Sequence, residues 1–414
     1  MNLTCQSAAA GHEYRTAVFQ KPVTMGTVST TLKRLNFNPQ LEVLVMQPRT
    51  QLKTIWSLLL LSLATMLMSG CMTDQAAQQA TTVRNVWPPP PEQPRIEWIR
   101  SFYAQEDFPK SSFEVFKEVI VGKTKGISFR KPIDVKSDGK GLVYVTDIQL
   151  AGIFRFDMVN QKYEFWQKGD DPDTSLAITP YFISLDSSGN LYAVGTGRKE
   201  VYVVNGTGDF LRKFSFSPHV ADPGGILVDS ASKRIYLVDN SASKVAIFDL
   251  EGKYISSFGK PGEGDGEFNR PSPIAMNSKG EIIVGDVLNA RIQIFDRGGR
   301  FLRKFGQRGD GASAFQVMKS LAVDSDDNVY VTDGKANQLK IFNVKGEWLM
   351  SFGKAYSVTK TMKESPGGFL LPQGISIDST DSIYVVDQAN MRFQMFKYLK
   401  DEPKKEADSP MKEK

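Results

Sequence analysis

Between residues 127 and 398 apolar and polar positions alternate in short runs closed by turn formers, and four such runs recur as one phrase, six times over. Alternation with a period of two is the pattern of a half-buried strand, and the Gly, Asp, Asn and Ser residues between runs are turn residues. The fourth copy shows the phrase best. Its first run is Pro273-Ile274-Ala275-Met276 with the turn anchor Asn277, its second Ile282-Ile283-Val284, its third Arg291-Ile292-Gln293-Ile294-Phe295, and its fourth Phe301-Leu302-Arg303-Lys304-Phe305. The second runs of the other copies read Val143-Tyr144-Val145, Leu191-Tyr192-Ala193, Ile235-Tyr236-Leu237, Val329-Tyr330-Val331 and Ile383-Tyr384-Val385. β-Branched and aromatic residues fill these positions because they pack well on a pleated surface.

The turn anchors Lys136, Asp186, Asp229, Asn277, Asp324 and Asp378 follow one another at roughly 43 to 54 residues, the period of a four-stranded propeller blade. One blade cannot bury both of its faces, but blades stacked around an axis can. The expected fold is therefore all-β: a six-bladed propeller over residues 95–400. The ends predict how the ring closes. The last copy stops after Phe393-Gln394-Met395-Phe396 without a fourth run, while residues 95–102, containing Ile96, Trp98, Ile99 and Phe102, carry the missing pattern ahead of the first blade. The N-terminal strand is expected to pair into the last blade and latch the ring.

Ahead of the propeller an apolar run over residues 56–70 is too short for a comfortable bilayer span. Arg49 and Lys53 precede it and small residues end it, the layout of a signal peptide. The Ser69-Gly70-Cys71 ending resembles the lipobox of bacterial lipoproteins, with Met68 where Leu is usual; the resemblance implies lipidation of Cys71. Cys5 and Cys71 are the two cysteines of the chain, so the propeller is expected to hold without disulfides. Residues 1–45 fit no targeting pattern and read as an upstream start, with the signal peptide at 46–71. This changes the charge argument. The formal net charge is +5, but discarding the basic leader leaves about +1, so nothing global draws the mature chain to nucleic acid. Residues 72–94, rich in Gln, Ala and Thr and then Pro88 to Pro91, read as a flexible, Pro-rich tether with a reach of roughly 70 Å at about 3.1 Å per residue. Residues 401–414 read as a charged, disordered tail. An insertion opening at Ser111, with Phe113, Phe116, Val119 and Ile120 at helical spacing before Gly122, predicts a short helix over one face of the ring.

Asn289-Ala290-Arg291-Ile292-Gln293-Ile294-Phe295 and Asn390-Met391-Arg392-Phe393-Gln394-Met395-Phe396 resemble the core of the NHL repeat, as do Phe258-Gly259 and residues 262–268. The resemblance covers all copies and implies a six-bladed propeller, in agreement with the count from the residues. Blade two departs most, with Gly195 where other blades carry Asp and Glu200 where the family prefers a basic residue.

A propeller does not fix a function. His219 is the single histidine outside the leader, which argues against a histidine-rich zinc or copper site, and no haem-attachment motif, nucleophile elbow or phosphate loop is present. Carboxylates remain. Asp147, Asp239, Asp286, Asp333 and Asp387 end the second strand in five blades, and oxygen ligands converging on a channel suit Ca²⁺; in gluconolactonase-like propellers this serves a metal-dependent hydrolase or lyase. The competing reading is stronger: an Asp at the same strand end in nearly every blade bonds its own turn, and Asp286 with Arg291 and Asp387 with Arg392 suggest local ion pairs. Loops between blades and between second and third strands emerge on one face and carry the non-repetitive Tyr181, Phe182, Arg198, Lys199, Lys244, Arg291, Gln338 and Arg392, a composition suited to recognition. The chain is thus expected to be a monomeric, non-catalytic binding or scaffold protein without cofactor. It would be lipid-anchored on the periplasmic or outer side of a bacterial envelope and would recognise another envelope protein or a glycan. Met72, where many inner-membrane lipoproteins carry Asp, points to the outer membrane.

Overall fold

The computed structural model describes residues 84–103, 107–108, 126–167, 169 and 178–400, and the chain from Thr82 onward forms one compact unit. The leader, Cys71, the Ser111 insertion and the tail from 401 lie outside the described residues. Among the described residues no helix is long and apolar enough to cross a membrane.

The expected propeller is what forms: blades of antiparallel strands stand in a ring, each ordered from the axis outward. Blade one consists of Pro132–Ser137, Leu142–Asp147, Gly152–Asp157 and Lys162–Gln167. Blade two consists of Thr179–Leu185, Leu191–Thr196, Glu200–Val204 and Phe210–Ser215. Blade three is Pro223–Asp229, Arg234–Asp239, Lys244–Asp249 and Tyr254–Phe258, and blade four is Pro271–Met276, Ile282–Asp286, Arg291–Phe295 and Phe301–Phe305. Blade five is Met318–Val323, Val329–Asp333, Gln338–Phe342 and Trp348–Phe352.

Blade six takes Pro372–Ile377, Ser382–Asp387 and Arg392–Tyr398 from the C-terminal end and Ile96–Phe102 from the N-terminal end. Ile96 pairs with Tyr398 and Phe102 with Phe393, so the expected latch is in place. The sheet extends further than the sequence suggests. Val86–Trp87 adds a fifth strand outside the latch, with Val86 opposite Glu97 and Trp87 opposite Ile96. Trp87 stacks on Phe352 at 5.1 Å between ring centroids. The described end of the 72–94 segment is therefore packed onto the propeller rather than free, because a large aromatic side chain and an open sheet edge are both better covered than solvated.

The core lies between blades. The middle residues of the second and third strands are buried, and clusters such as Tyr236, Val238, Val245, Ile247, Ile282, Val284 and Phe295 bridge one sheet to the next. The recurring Gly and Phe have a shared purpose. In the outermost hairpin Gly299 adopts φ +90°, and a Cβ there would stand 2.4 Å from the ring of Phe258, the last residue of the preceding blade. Glycine is thus required both for the backbone turn and for the close approach of the neighbouring ring.

The outer edge explains the exposed apolar residues. Leu211, Ile255, Leu302, Leu349 and Ile99 are each the extra residue where pairing between third and fourth strands shifts register. Bulges at this place twist the edge and break its value as a template for another strand. One turn anchor also shifts. In blade one the role of Asp186 falls to Asp138, whose Oδ1 accepts from the N–H groups of Lys140 and Leu142, while Lys136 lies on the innermost strand.

Candidate functional site

The five strand-end carboxylates are not brought together. Each is buried in its own blade and accepts hydrogen bonds from the loop that enters that blade. Asp147 Oδ2 accepts from the N–H groups of Arg130 and Lys131 at 2.7 and 2.9 Å, and Asp239 Oδ2 from that of Ala221 at 2.7 Å. Asp286 Oδ1 accepts from Asn269 N–H, Asp387 Oδ1 from Leu370 N–H, and the two oxygens of Asp333 from Gln316 and Val317. These residues staple each blade to the chain that leads into it. Burial opposes ionisation of Asp239, but its backbone donors and the Ser241 hydroxyl outweigh burial and hold the carboxyl below the usual range. Among the described residues no group of three or more His, Cys, Asp or Glu side chains is placed to hold a metal.

Two members of the expected recognition face are instead internal. Arg392 is wholly buried and Arg291 nearly so. Arg291 Nε donates to Asp286 Oδ2 at 2.8 Å, and its remaining N–H groups donate to the carbonyls of Glu263, Gly264 and Glu267. Arg392 Nε donates to Asp387 Oδ2 at 2.8 Å, and its other nitrogens donate to Glu364 Oε1, Tyr103 Oη, Ser101 Oγ and the carbonyls of Ser365 and Gly368. A planar guanidinium with five donors suits a loop full of carbonyl acceptors better than solvent does. Gln293 and Gln394, two residues on, serve the same loops. In blade five Lys340 fills this place, donating to the carbonyls of Gly311 and Ala314 beside Asp333; burial pushes its ammonium pKa down.

The rest of the expected face is open but dispersed. Arg198 and Lys199 are exposed in the second-to-third loop of blade two, and half-buried Tyr181 lies at the same end of that blade with its ring against Phe182. Lys244 and Gln338 start the third strands of blades three and five, opposite Asp239 and Asp333. Phe182 turns inward to the axis. His219 lies flat on Tyr254, with ring centroids 3.7 Å apart.

Along the axis the innermost strands of all blades enclose a cavity of about 40 Å³, lined among others by Phe182, Gly225, Ile274, Lys319 and Gly374. Asp134 crosses it, pairing with Lys136 Nζ at 2.8 Å and accepting from the Ile183 N–H at 3.0 Å. This space admits water, not an organic substrate.

The opposite face, formed by the first-to-second turns, holds a larger recess of about 570 Å³ that sequence reasoning missed. Ser137, Asp138, Lys140 and Leu142 of blade one, residues 185–189 and Gly206 of blade two, and residues 228–231 of blade three line it, with Met276 of blade four. At other junctions on this face side chains tie neighbouring turns: Ser278 donates to Asp327, Ser325 to Asp381, Ser137 to Asp378, Ser187 N–H to Ser230, and Arg297 to Asp229. Between blades one and two no such tie is found among the described residues. At that junction Tyr144, only 1% exposed, keeps its hydroxyl beside Arg155, its cross-strand neighbour. The equivalent hydroxyls of Tyr192, Tyr236, Tyr330 and Tyr384 donate to Asp186, the Arg297 carbonyl, Asp324 and Asp378. Burial pushes the Tyr144 phenol pKa up, against the opposing charge and hydrogen bond of Arg155.

A family described as a 6-bladed beta-propeller matches residues 225–284 and 270–352, covering blades three to five. Among solved structures, a protein of unknown function from Bacteroides thetaiotaomicron is 14% identical, with a TM-score of 0.51 over 65% of this chain and 70% of that one. Virginiamycin B lyase from Staphylococcus aureus is 11% identical with a TM-score of 0.46 over 65% of this chain and 95% of that one. No curated protein sequence matches the chain. The family match and the Bacteroides structure agree with the class that the blades define, a six-bladed β-propeller, and at such identity they speak for the fold alone.

Proposed function

We propose that the protein is a lipid-anchored envelope protein, held through Cys71 with the outer membrane favoured, whose propeller recognises another envelope protein or a glycan. Its recognition surface is the end where inter-blade and second-to-third loops emerge. The observation that carries this reading is how the polar groups are used. The repeated aspartates and the arginines of blades four and six are consumed inside the blades, and the axial cavity is too small for a substrate. Two of the cations exposed on that end, Arg198 and Lys199, belong with Tyr181 to the blade that departs most from the repeat. Exposed Arg with adjacent aromatic surface is the composition of binding hot spots.

The test is affinity capture of the full lipoprotein from solubilised envelope, followed by mass spectrometry, beside an Arg198→Glu, Lys199→Glu double variant. A partner enriched by the native protein and lost from the variant is expected. Recovery of the same set from both, together with no change in envelope complexes when the propeller is deleted, refutes the reading. Fractionation of a Cys71→Ser variant tests the anchor: it should leave the membrane fraction.

A further inference from the structure

We infer that the recess between blades one, two and three is a binding site for a neutral, hydroxyl-rich ring, a saccharide unit. It lies on the face opposite Arg198 and Lys199, and stands or falls independently of recognition there.

The size fits: about 570 Å³ falls in the range of roughly 300 to 1,000 Å³ typical of small-molecule sites. The lining decides the chemistry. Three carboxylates face an anion, which excludes one as ligand. A cation fares little better, because those carboxylates are largely committed. Asp186 accepts from Ser188 N–H, Asn190 N–H and Asn190 Nδ2 of its own turn, and Asp229 pairs with Arg297 Nε at 2.8 Å. Asp138 alone keeps an oxygen, Oδ2, without a partner among the described residues, and Lys140 stands two residues away. What remains is a mixture of hydroxyls on Ser187 and Ser188, one carboxylate oxygen and one ammonium, around an apolar patch of Leu142, Leu185, Val228 and Met276. Closely interspersed acceptors, donors and apolar carbons match a ring whose hydroxyls alternate with C–H faces.

The second observation is the way the recess is left open. On this face the junction between blades one and two carries no inter-blade side-chain tie among the described residues, whereas Ser187 N–H donates to Ser230 and Arg297 to Asp229 at the next two junctions. Gly206 keeps the blade-two wall open: a Cβ there would have only Tyr144 Oη at 3.7 Å and the Gly189 carbonyl oxygen at 3.9 Å as near neighbours.

The test is a screen of immobilised neutral glycans against the compact unit from Thr82, followed by calorimetric titration of the best disaccharide, with trilysine and glucose 6-phosphate as charged controls. One saturable site per chain is expected. Gly206→Leu, at a position without positive φ, should fill the recess and abolish binding. Lys140→Met, at an exposed position lining the recess, should weaken binding about tenfold while the melting temperature stays unchanged, which separates lost recognition from lost fold. Retention of no neutral glycan, preference for either charged control, or undiminished binding by the Gly206→Leu protein overturns the proposal.

Discussion

Replacing Arg392 by Met would test how the ring is closed. The side chain has no solvent exposure, and its guanidinium joins Asp387 of the second strand, Glu364 of the loop entering blade six, and Ser101 and Tyr103 at the end of the latch strand. Met conserves much of the volume, so the loss is mainly of charge. Asp387, itself unexposed, keeps donors from Leu370, Asn390 and Gln394 but loses its counter-ion. Breaking a buried pair from one side costs about 3–5 kcal/mol, a large share of the roughly 5–15 kcal/mol that holds a domain folded. With a guanidinium-chloride slope of about 4 kcal/mol/M the denaturation midpoint falls by about 1 M. Burial already raises the Asp387 carboxyl pKa, with Arg392 pulling the other way; without Arg392 it rises further. A carboxyl raised in the folded state stabilises folding at low pH and loses that contribution as pH rises through its folded value, so the deficit should be larger at pH 7.5 than at pH 5. Hydrogen exchange should also show the latch strand Ile96–Phe102 opening ahead of the rest. Arg291→Met is the control, since Arg291 serves carbonyls of its own blade's entry loop and touches no latch. A loss under about 1 kcal/mol at neutral pH, or equal latch opening in both variants, would refute the argument.

Trp87→Ala should cost about 1–2 kcal/mol through the lost stacking on Phe352 and edge contact with Phe396, read by thermal melting; no change would return residues 86–87 to the tether. Asp239→Asn should cost about 1–3 kcal/mol at neutral pH, because its amide N–H₂ would face either the N–H donor of Ala221 or, turned over, those of Asp222 and Ala242. Since the native carboxyl is held low, its contribution is present above the unfolded value near 3.9 and is lost as pH falls through the folded one, so the variant's acid unfolding limb should be flatter. Dialysis against EDTA should leave the melting temperature unchanged; a fall of more than about 3 °C would reinstate a carboxylate-bound metal.

The architecture was readable because each blade repeats the same burial problem, so period-two runs and Gly–Phe spacing recur wherever sheets pack face to face. It failed locally where one residue broke the pattern. Blade one ends its first strand in Ser137, where the others have Leu185, Val228, Met276, Val323 and Ile377, and the lost apolar position moved the anchor from Asp138 to Lys136. Arg291 and Arg392 were legible as partners of aspartates five residues earlier, yet loop position suggested exposure; only the folded loops at 263–267 and 364–368 show that the carbonyls they serve lie inside. The recess was invisible because its lining comes from turns of four different blades, Ser137 to Leu142, 185–189, 228–231 and Met276, that only the closed ring brings together. One local signal was present at blade one: Arg155 stands opposite Tyr144 where other blades carry Val203, Ile247, Ile294, Ile341 and Met395.

The closing strand also sets how the protein bears a load. Tension on the chain ahead of residue 84 arrives first at the ion pair of Arg84 with Glu97 and the two-residue strand Val86–Trp87, an outer layer held by few hydrogen bonds. That layer peels before the seven-residue strand Ile96–Phe102, whose ladder to Arg392–Tyr398 is the seam of the ring. The outer strand and its stacked tryptophan thus act as a mechanical fuse, yielding to a pull from the N-terminal side while the circle of blades stays shut.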